Sequence, residues 1–315
     1  MTASMKAVLR QYMKSGVLFH AGLSSLLNGF DRNGMMITEQ AVNNKVLKRT
    51  RRKYRRFIEE HRLSDAEIRA FRDAARTPEN DRVYVYWAQG IENAPELVKA
   101  CVQSLKDWLP EREIILLTAD NLADFVQLPE AVMEQYRSGR IGATQLSDCI
   151  RTSLLSDRGG TWIDATVFLS GKVPERFLDD DLFFFSVQRP GLDVLYPSSW
   201  WISAKAGHPV IRMTRDLLLD YFSRYGLRFY YMIHVFLVLS LAAYPEFSED
   251  LVLQDNGASH LLQKRMFSEY SEKDWERIRD SAREVHKLTY KFDEEQKKKP
   301  GTWYRKLFGD KTVEG

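Results

Sequence analysis

Between Arg82 and Val173 the apolar positions alternate between the two-residue period of a strand and the three-to-four-residue period of a helix. RVYVYW (82–87) is short, rich in β-formers and partly alternating, and predicts a strand entering a core. After the loop AQGIENA, Pro95 stands where a helix begins, and Leu97, Val98, Cys101, Leu105 and Trp108 follow at helical spacing up to Pro110. EIILLT (113–118) reads as a buried strand. Asp120 or Asn121 can cap a short helix, and Pro129 opens another with Val132, Met133 and Tyr136 inward. Gly142 starts a longer helix that runs through Leu154 and Leu155 and stops at Gly159-Gly160, where glycine supplies the positive φ that helix ends need. TWIDATVFL (161–169) is the strand that follows. This succession predicts an α/β fold, a sheet wrapped by helices.

The flanks read differently. Residues 1–76 predict helices, with Val8, Leu9, Tyr12 and Met13 as one apolar stripe, Phe57, Ile68 and Phe71 as another, and a break at Gly29, Asn33 and Gly34. Residues 45–56 (KVLKRTRRKYRR) carry eight Lys/Arg and no acid, which on a helix leaves hardly any uncharged face. The run is either a solvated surface or a contact with anionic lipid headgroups, where each Lys or Arg is worth about 1 kcal/mol. Past Val173, LFFFSV and SSWWISA predict strands and residues 209–221 a helix. The apolar run from Phe229 to Tyr244, broken by His234 and Ser240, is shorter than the roughly 20 residues a membrane-spanning helix needs and predicts a buried helix. The expected organisation is a basic helical segment (1–81), an α/β domain (82–290) and a charged tail (291–315).

Composition narrows the setting. The 315 residues, 44% hydrophobic, can bury a sizeable core. The formal charge of +3 conceals an asymmetry, because residues 1–81 hold 16 Lys+Arg against 9 Asp+Glu. Cys101 and Cys149 exclude a disulfide scaffold, and neither belongs to a metal-type pair. There is no Asn-x-Ser/Thr sequon, and the first residues lack the apolar core of a secretory signal, so a cytoplasmic location is expected. No zinc, RNP-like or helix-turn-helix signature supports a nucleic-acid partner, and no G-x-x-x-x-G-K-[ST] loop supports phosphotransfer.

The chemistry concentrates in QLSDCIRTSLLSDRGGTWIDAT (145–166). Asp148 and Arg151 are three apart on a predicted helix and share a face, offering an acceptor and a forked donor to one ligand, or forming a plain intrahelical ion pair worth about 0.2–0.5 kcal/mol. Asp164 and Thr166, two apart, lie on one side of a strand. A carboxylate at the end of a core strand is costly to bury alone and calls for a metal, a ribose hydroxyl or a cation beside it. Trp87 ends the first strand and offers a flat surface for a base, an interaction worth roughly 1–3 kcal/mol, or simply belongs to the core. Trp200 and Trp201 are candidates for a sugar-binding aromatic platform, with buried packing the alternative. His234, within an apolar helix, reads as a core histidine.

VYWAQG, AP..V..C..S, SD..R..LL...GG.W.DAT and HKLTYK resemble the capsular polysaccharide synthesis family, related to glycosyltransferase family 32 and more distantly to the glucosylating clostridial toxins. The resemblance covers about residues 82–290. It implies a GT-A-like fold with a Rossmann-like mixed sheet, a nucleotide-sugar donor, retention of anomeric configuration and a divalent cation, Mn²⁺ or Mg²⁺. By position, Trp87 matches the aromatic stacking on uracil, with Gln89 and Gly90 in the loop beside it. Asp148 and Arg151 match the pair that holds the donor hexose, and Asp164 the first carboxylate of a D-x-D motif. Thr166 stands where the second, principal metal-binding carboxylate is found, and a neutral hydroxyl is a weaker ligand for a hard cation. His286 and Lys287 are candidates to meet the diphosphate, and Trp201 is counted with the ligand-binding residues.

These observations predict a hexosyltransferase using a nucleotide diphosphate-sugar, UDP-linked by the match at Trp87. Its acceptor would be a glycan or lipid-linked glycan of a cell-surface or capsular polysaccharide, with residues 45–56 as a contact to the cytoplasmic membrane face. The rival is a non-catalytic nucleotide-sugar-binding scaffold of a polysaccharide assembly complex.

Overall fold

The computed structural model describes residues 3–187, 194 and 196–309. Four helices lead: α1 (Ala3–Lys14), α2 (Leu18–Asn28), α3 (Arg32–His61) and α4 (Asp65–Asp73). Then come β1 (Arg82–Tyr86), α5 (Glu96–Trp108), β2 (Glu113–Leu117), α6 (Leu122–Phe125), α7 (Glu130–Arg137), α8 (Ala143–Arg158), β3 (Gly160–Ile163) and β4 (Val167–Leu169). The rest comprises α9 (Arg176–Asp179), β5 (Leu182–Ser186), β6 (Pro197–Ala204), α10 (Pro209–Arg224), α11 (Met232–Ala243), α12 (Pro245–Ser248), β7 (Gln254–Asp255), α13 (Leu261–Arg265), α14 (Glu272–Ala282), β8 (Val285–Lys287), α15 (Glu294–Lys298) and α16 (Trp303–Phe308).

Six strands form a mixed sheet in the order β2-β1-β3-β6-β5-β7, and β4 pairs with β8 in a separate antiparallel ribbon. β1 is parallel to both of its neighbours, β2 and β3. Its alternate side chains face opposite ways: Val83 and Val85 pack with Val98, Val102 and Leu105 of α5. Tyr84 packs with Leu146, Ile150 and Leu154 of α8. The connections out of β1 and into β3 therefore run over opposite faces. The carboxyl ends of β1 and β3 flank the crevice where an open α/β sheet binds its ligands.

The strand expected over 161–169 divides in two. Asp164 N–H donates to Trp200 O and Val167 N–H returns to Asp164 O, both at 2.9 Å, so the chain turns at Asp164–Thr166 and β4 leaves the main sheet for β8. Gly159 and Gly160 take φ of +70° and +95°; a Cβ on Gly160 would meet Arg82 O at 2.6 Å, so the α8–β3 turn needs both glycines.

Two expected boundaries are not boundaries in the packing. Val42, Val46, Leu47 and Tyr54 of α3 and Ile68 of α4 are buried in the same cluster as Tyr84, Trp162 and the helices α10 and α11. Each such aliphatic side chain contributes about 1.5–3 kcal/mol. Tyr54 also donates to Asp220 at 2.9 Å and meets Phe236 edge-on. The basic run thus does have an uncharged face: Val46, Leu47, Thr50 and Tyr54 are buried at helical spacing, while Lys48, Arg49, Arg51, Arg52, Lys53, Arg55 and Arg56 are exposed. At the other end, the expected charged tail forms α15 and α16. Trp303, Tyr304 and Phe308 are buried against Leu97 and Cys101 of α5 and Leu288. The last six residues, 310–315, lie outside the described residues. Of the run Phe229–Tyr244, Met232–Ala243 forms the largely buried helix α11, while Tyr230 and Tyr231 precede it and are exposed; among the described residues no helix is long and apolar enough to cross a membrane.

Candidate active site

A cavity of about 410 Å³ lies at the carboxyl ends of β1 and β3, lined by Trp87, Gln89, Arg151, Asp164, Thr166 and Tyr290 among others. Trp87 enters from β1: its N–H extends the ladder to Leu117 O at 2.9 Å, and its ring meets Tyr290 edge-on at 5.3 Å. One side of the indole is held by packing while the residue stays partly exposed. Gly90 closes the loop after it, its φ of +78° letting its N–H reach Trp87 O at 3.0 Å.

Asp164 is the electrostatic centre. Lys287 Nζ donates to Asp164 Oδ2 at 2.8 Å and to Thr166 Oγ1 at 2.7 Å. Trp162 Nε1 donates to Asp164 Oδ1 at 3.0 Å, and Arg151 Nη1 lies 3.4 Å from the same oxygen. Burial alone would raise the Asp164 pKa, but Lys287, then Arg151 and the two hydrogen bonds, bring it below its ordinary value. Asp164 is therefore an anion held between two cations.

Arg151 is fixed from several sides. It donates to Ser147 O at 3.3 Å, to Ser147 Oγ at 3.1 Å and to Ser199 O, and its guanidinium lies 5.0 Å from the centre of the Trp162 ring. Asp148, 3.3 Å away one helical turn back, does not line the cavity; its side chain is only 4% exposed. It lies one helical turn behind Arg151 and pairs with it. Burial pushes the Asp148 carboxyl up to about 7 against the pull of Arg151, with Asp164 adding to the rise.

Two expected site residues lie elsewhere. Trp201 is fully buried among Phe177 and Phe185, with Nε1 donating to Phe177 O at 2.8 Å. His286 is also fully buried, 2.7 Å from Ser170 Oγ and beside Trp275; burial lowers its pKa to about 3. Adjacent residues on a strand face opposite ways, so β8 can bring Lys287 to Asp164 and Thr166 only by turning His286 into the core. Tyr290, Trp162, Ser147 and Asn93 line the site or brace it, and the sequence had not singled them out. Trp162 was the most legible of these, two residues before Asp164.

A second cavity, about 310 Å³, adjoins the amino end of β6 and is lined by Ser198, Trp200, His234, Asn256 and His260 among others. Among the described residues, Trp200 Nε1 and His234 Nδ1 have no partner. The two cavities share a wall: Ser199 O takes the Arg151 bond and Trp200 O takes Asp164 N–H.

A carboxylate beside a hydroxyl on one turn raises the question of a divalent cation. Among the described residues no three His, Cys, Asp or Glu side chains converge on a point an ion could occupy. Asp164 is the cavity's one carboxylate among the described residues, and the Lys287 ammonium already binds both it and Thr166. One carboxylate and one hydroxyl would hold a Mn²⁺ or Mg²⁺ ion only with waters and a substrate diphosphate supplying its remaining ligands, and only if Lys287 gave up its bonds to both.

Comparison with known proteins bears on the whole chain. The O-glycosyltransferase braB of Annulohypoxylon truncatum is 27% identical over 173 residues, which is 48% of this chain and 40% of that protein, so the chain matches well under two thirds of that relative's length. A solved structure titled PaToxG Glycosyltransferase aligns over 85% of this chain and 97% of its own at 12% identity, with a TM-score of 0.40. The family of capsular polysaccharide synthesis proteins matches residues 34–307, nearly the whole described chain, site and α3 included, and the protein belongs to that family.

Proposed function

We propose that the chain is a glycosyltransferase that moves a hexose from a nucleotide diphosphate-sugar, a UDP-sugar, to a glycan acceptor in cell-surface or capsular polysaccharide synthesis. The observation that carries this reading is the convergence of Trp87, Arg151 and Asp164 on one cavity at the carboxyl ends of β1 and β3, with Lys287 bonded to Asp164 and Thr166 of its lining. A planar surface for a base, a carboxylate for sugar or ribose hydroxyls and a fixed ammonium for a diphosphate are the three needs of such a donor.

The bond to the anomeric carbon breaks with its electron pair going to the diphosphate oxygen, where negative charge grows. Lys287, already anchored by Asp164 and Thr166, meets that charge without reorganising. We take this ammonium, rather than a divalent cation, as the leaving-group stabiliser. Arg151, braced by Asp148 and Ser147, orients the hexose. With Asp164 tied to Lys287, no free carboxylate among the described residues lines the cavity to act as nucleophile, so a retaining transfer would proceed by attack of the acceptor hydroxyl on the face the diphosphate leaves, its proton passing to the departing diphosphate oxygen. The second cavity, whose Trp200 and His234 nitrogens have no partner among the described residues, suits a polyhydroxyl acceptor.

The test is nucleotide release from a panel of UDP-sugars, with and without glycan acceptors, in EDTA and with Mn²⁺. Turnover in EDTA that Asp164→Asn abolishes supports the reading. Nucleotide binding without turnover under any condition would favour the non-catalytic scaffold.

A further inference from the structure

Helix α2 has its polarity reversed relative to a helix that packs in water. The side turned to α3 is small and polar: Ala21 and Ser24 are buried, Thr38 Oγ1 donates to Ser24 Oγ at 3.2 Å and Ser25 Oγ to Thr38 Oγ1 at 3.4 Å. Asn28 Nδ2 closes the set on Ser24 O at 2.8 Å. Gly34 of α3 lies so close to the end of α2 that a Cβ there would strike the carbonyls of Asn28 and Gly29. The side turned away carries Phe19, Leu23, Leu26 and Leu27 at one-face spacing, exposed by 86%, 46%, 72% and 75%, and Phe30, just past the end of the helix, is 75% exposed. Met35 and Ile37, at 59% and 51%, extend the surface onto α3.

Small residues and hydroxyl bonds inside with large apolar side chains outside is the arrangement helices adopt in lipid, where close backbone approach replaces hydrophobic burial. The charges match an anionic surface. Residues 1–30 contain Lys and Arg but no Asp or Glu, and residues 45–56 add eight Lys/Arg without an acid, seven of them exposed on α3. A cavity of about 600 Å³ lined by Tyr12, Met35, Met36 and Phe229 continues the apolar surface inward. At 11 residues α2 is far too short to span a bilayer and suits a position in its plane.

We propose that α1–α3 form a monotopic anchor, with the outer face of α2 in the acyl-chain boundary of an anionic bilayer and the basic face of α3 against its headgroups. This assignment stands independently of the transferase reading.

The experiment is co-sedimentation of the full chain with phosphatidylcholine vesicles and with equimolar phosphatidylcholine–phosphatidylglycerol vesicles. It compares wild type, the double variant Leu26→Glu/Leu27→Glu and the double variant Arg51→Glu/Arg52→Glu, with far-UV circular dichroism and size-exclusion chromatography on each. Wild type should partition onto the anionic vesicles. The leucine variant should lose roughly 100-fold in partitioning at unchanged helicity, since two leucines no longer leave water. The arginine variant should lose its preference for anionic over neutral vesicles while still binding both. Wild type that stays in the supernatant with both vesicles, or a leucine variant that binds as wild type does, overturns the proposal. So does a wild-type dimer that the leucine substitutions dissociate, because a second copy would then cover this face.

Discussion

Replacing Lys287 with alanine removes an ammonium that sits 2.8 Å from Asp164 and 2.7 Å from Thr166. The Lys287 and Asp164 side chains are 16% and 26% exposed, so water screens the pair in part and its loss should cost the fold only about 0.2–1 kcal/mol. Asp164 keeps Trp162 at 3.0 Å and Arg151 at 3.4 Å, and its pKa should rise without its ceasing to be an anion at neutral pH. The reaction should suffer far more. A unit charge about 4 Å from the departing diphosphate is worth about 4 kcal/mol at an effective dielectric of about 20. Removal of one preorganised donor lowers kcat by about 10²–10³ in comparable cases. The assay is nucleotide release at saturating donor in EDTA, for wild type, Lys287→Ala and Lys287→Arg. The expected result is a fall of about 10²–10³ in kcat for alanine and a smaller fall for arginine, which keeps the charge in a bulkier, planar form. Lys287→Ala activity within about threefold of wild type would refute the reasoning. So would wild-type activity that EDTA abolishes and Mn²⁺ restores.

Trp87→Ala should weaken nucleotide binding by about 5–150-fold, the equivalent of 1–3 kcal/mol of stacking, with little change in thermal midpoint; calorimetric titration with UDP checks it. Arg151→Ala leaves Asp148 buried without its partner and should cost about 3–5 kcal/mol in urea unfolding above pH 7. Burial raises the Asp148 pKa to about 7 even against the pull of Arg151; the variant lacks that pull, so its carboxyl takes up a proton at a still higher pH and the cost should shrink as pH falls to 5. His208, His234 and His286 have folded pKa values lowered to about 3, about 4 and about 3 by burial. Their neutral forms stabilise the fold fully above the unfolded value of 6.5, and the contribution is lost as pH falls below it. Each should cost up to about 1.4 kcal/mol per pH unit in that range, so urea midpoints should drop steeply between pH 6.5 and 4.5, and His286→Gln should flatten part of the decline.

The reach from α8 into β3 was legible because its signals are local. Gly142, the glycine pair 159–160 and the three-residue offset of Asp148 and Arg151 specify helix, turn and shared face within one stretch of chain. What decides the site beyond that is long-range. Lys287 reaches Asp164 from 123 positions further along the chain, and only the β4–β8 pairing determines that Lys287, not His286, meets Asp164 and Thr166. The division of TWIDATVFL follows from a bond between Asp164 N–H and Trp200 O, which no local pattern announces. In residues 291–315 the charge concealed a local signal: Trp303, Tyr304 and Phe308 are apolar at helical spacing and dock on α5. The charge on α3 likewise masked the buried Val46–Leu47–Thr50–Tyr54 stripe. On α2 the periodicity was present, but its large apolar face points outward, a reversal that packing alone reveals.

The most direct test of the central claim is calorimetric titration of UDP and UDP-sugars, in EDTA, into wild type, Trp87→Ala and Asp164→Asn. The account predicts that wild type binds at least one UDP-sugar without added metal, that Trp87→Ala weakens UDP and UDP-sugar alike, and that Asp164→Asn reduces affinity for both. Absence of binding to every ligand with or without Mn²⁺, or binding that neither substitution alters, would contradict a donor site at the carboxyl ends of β1 and β3.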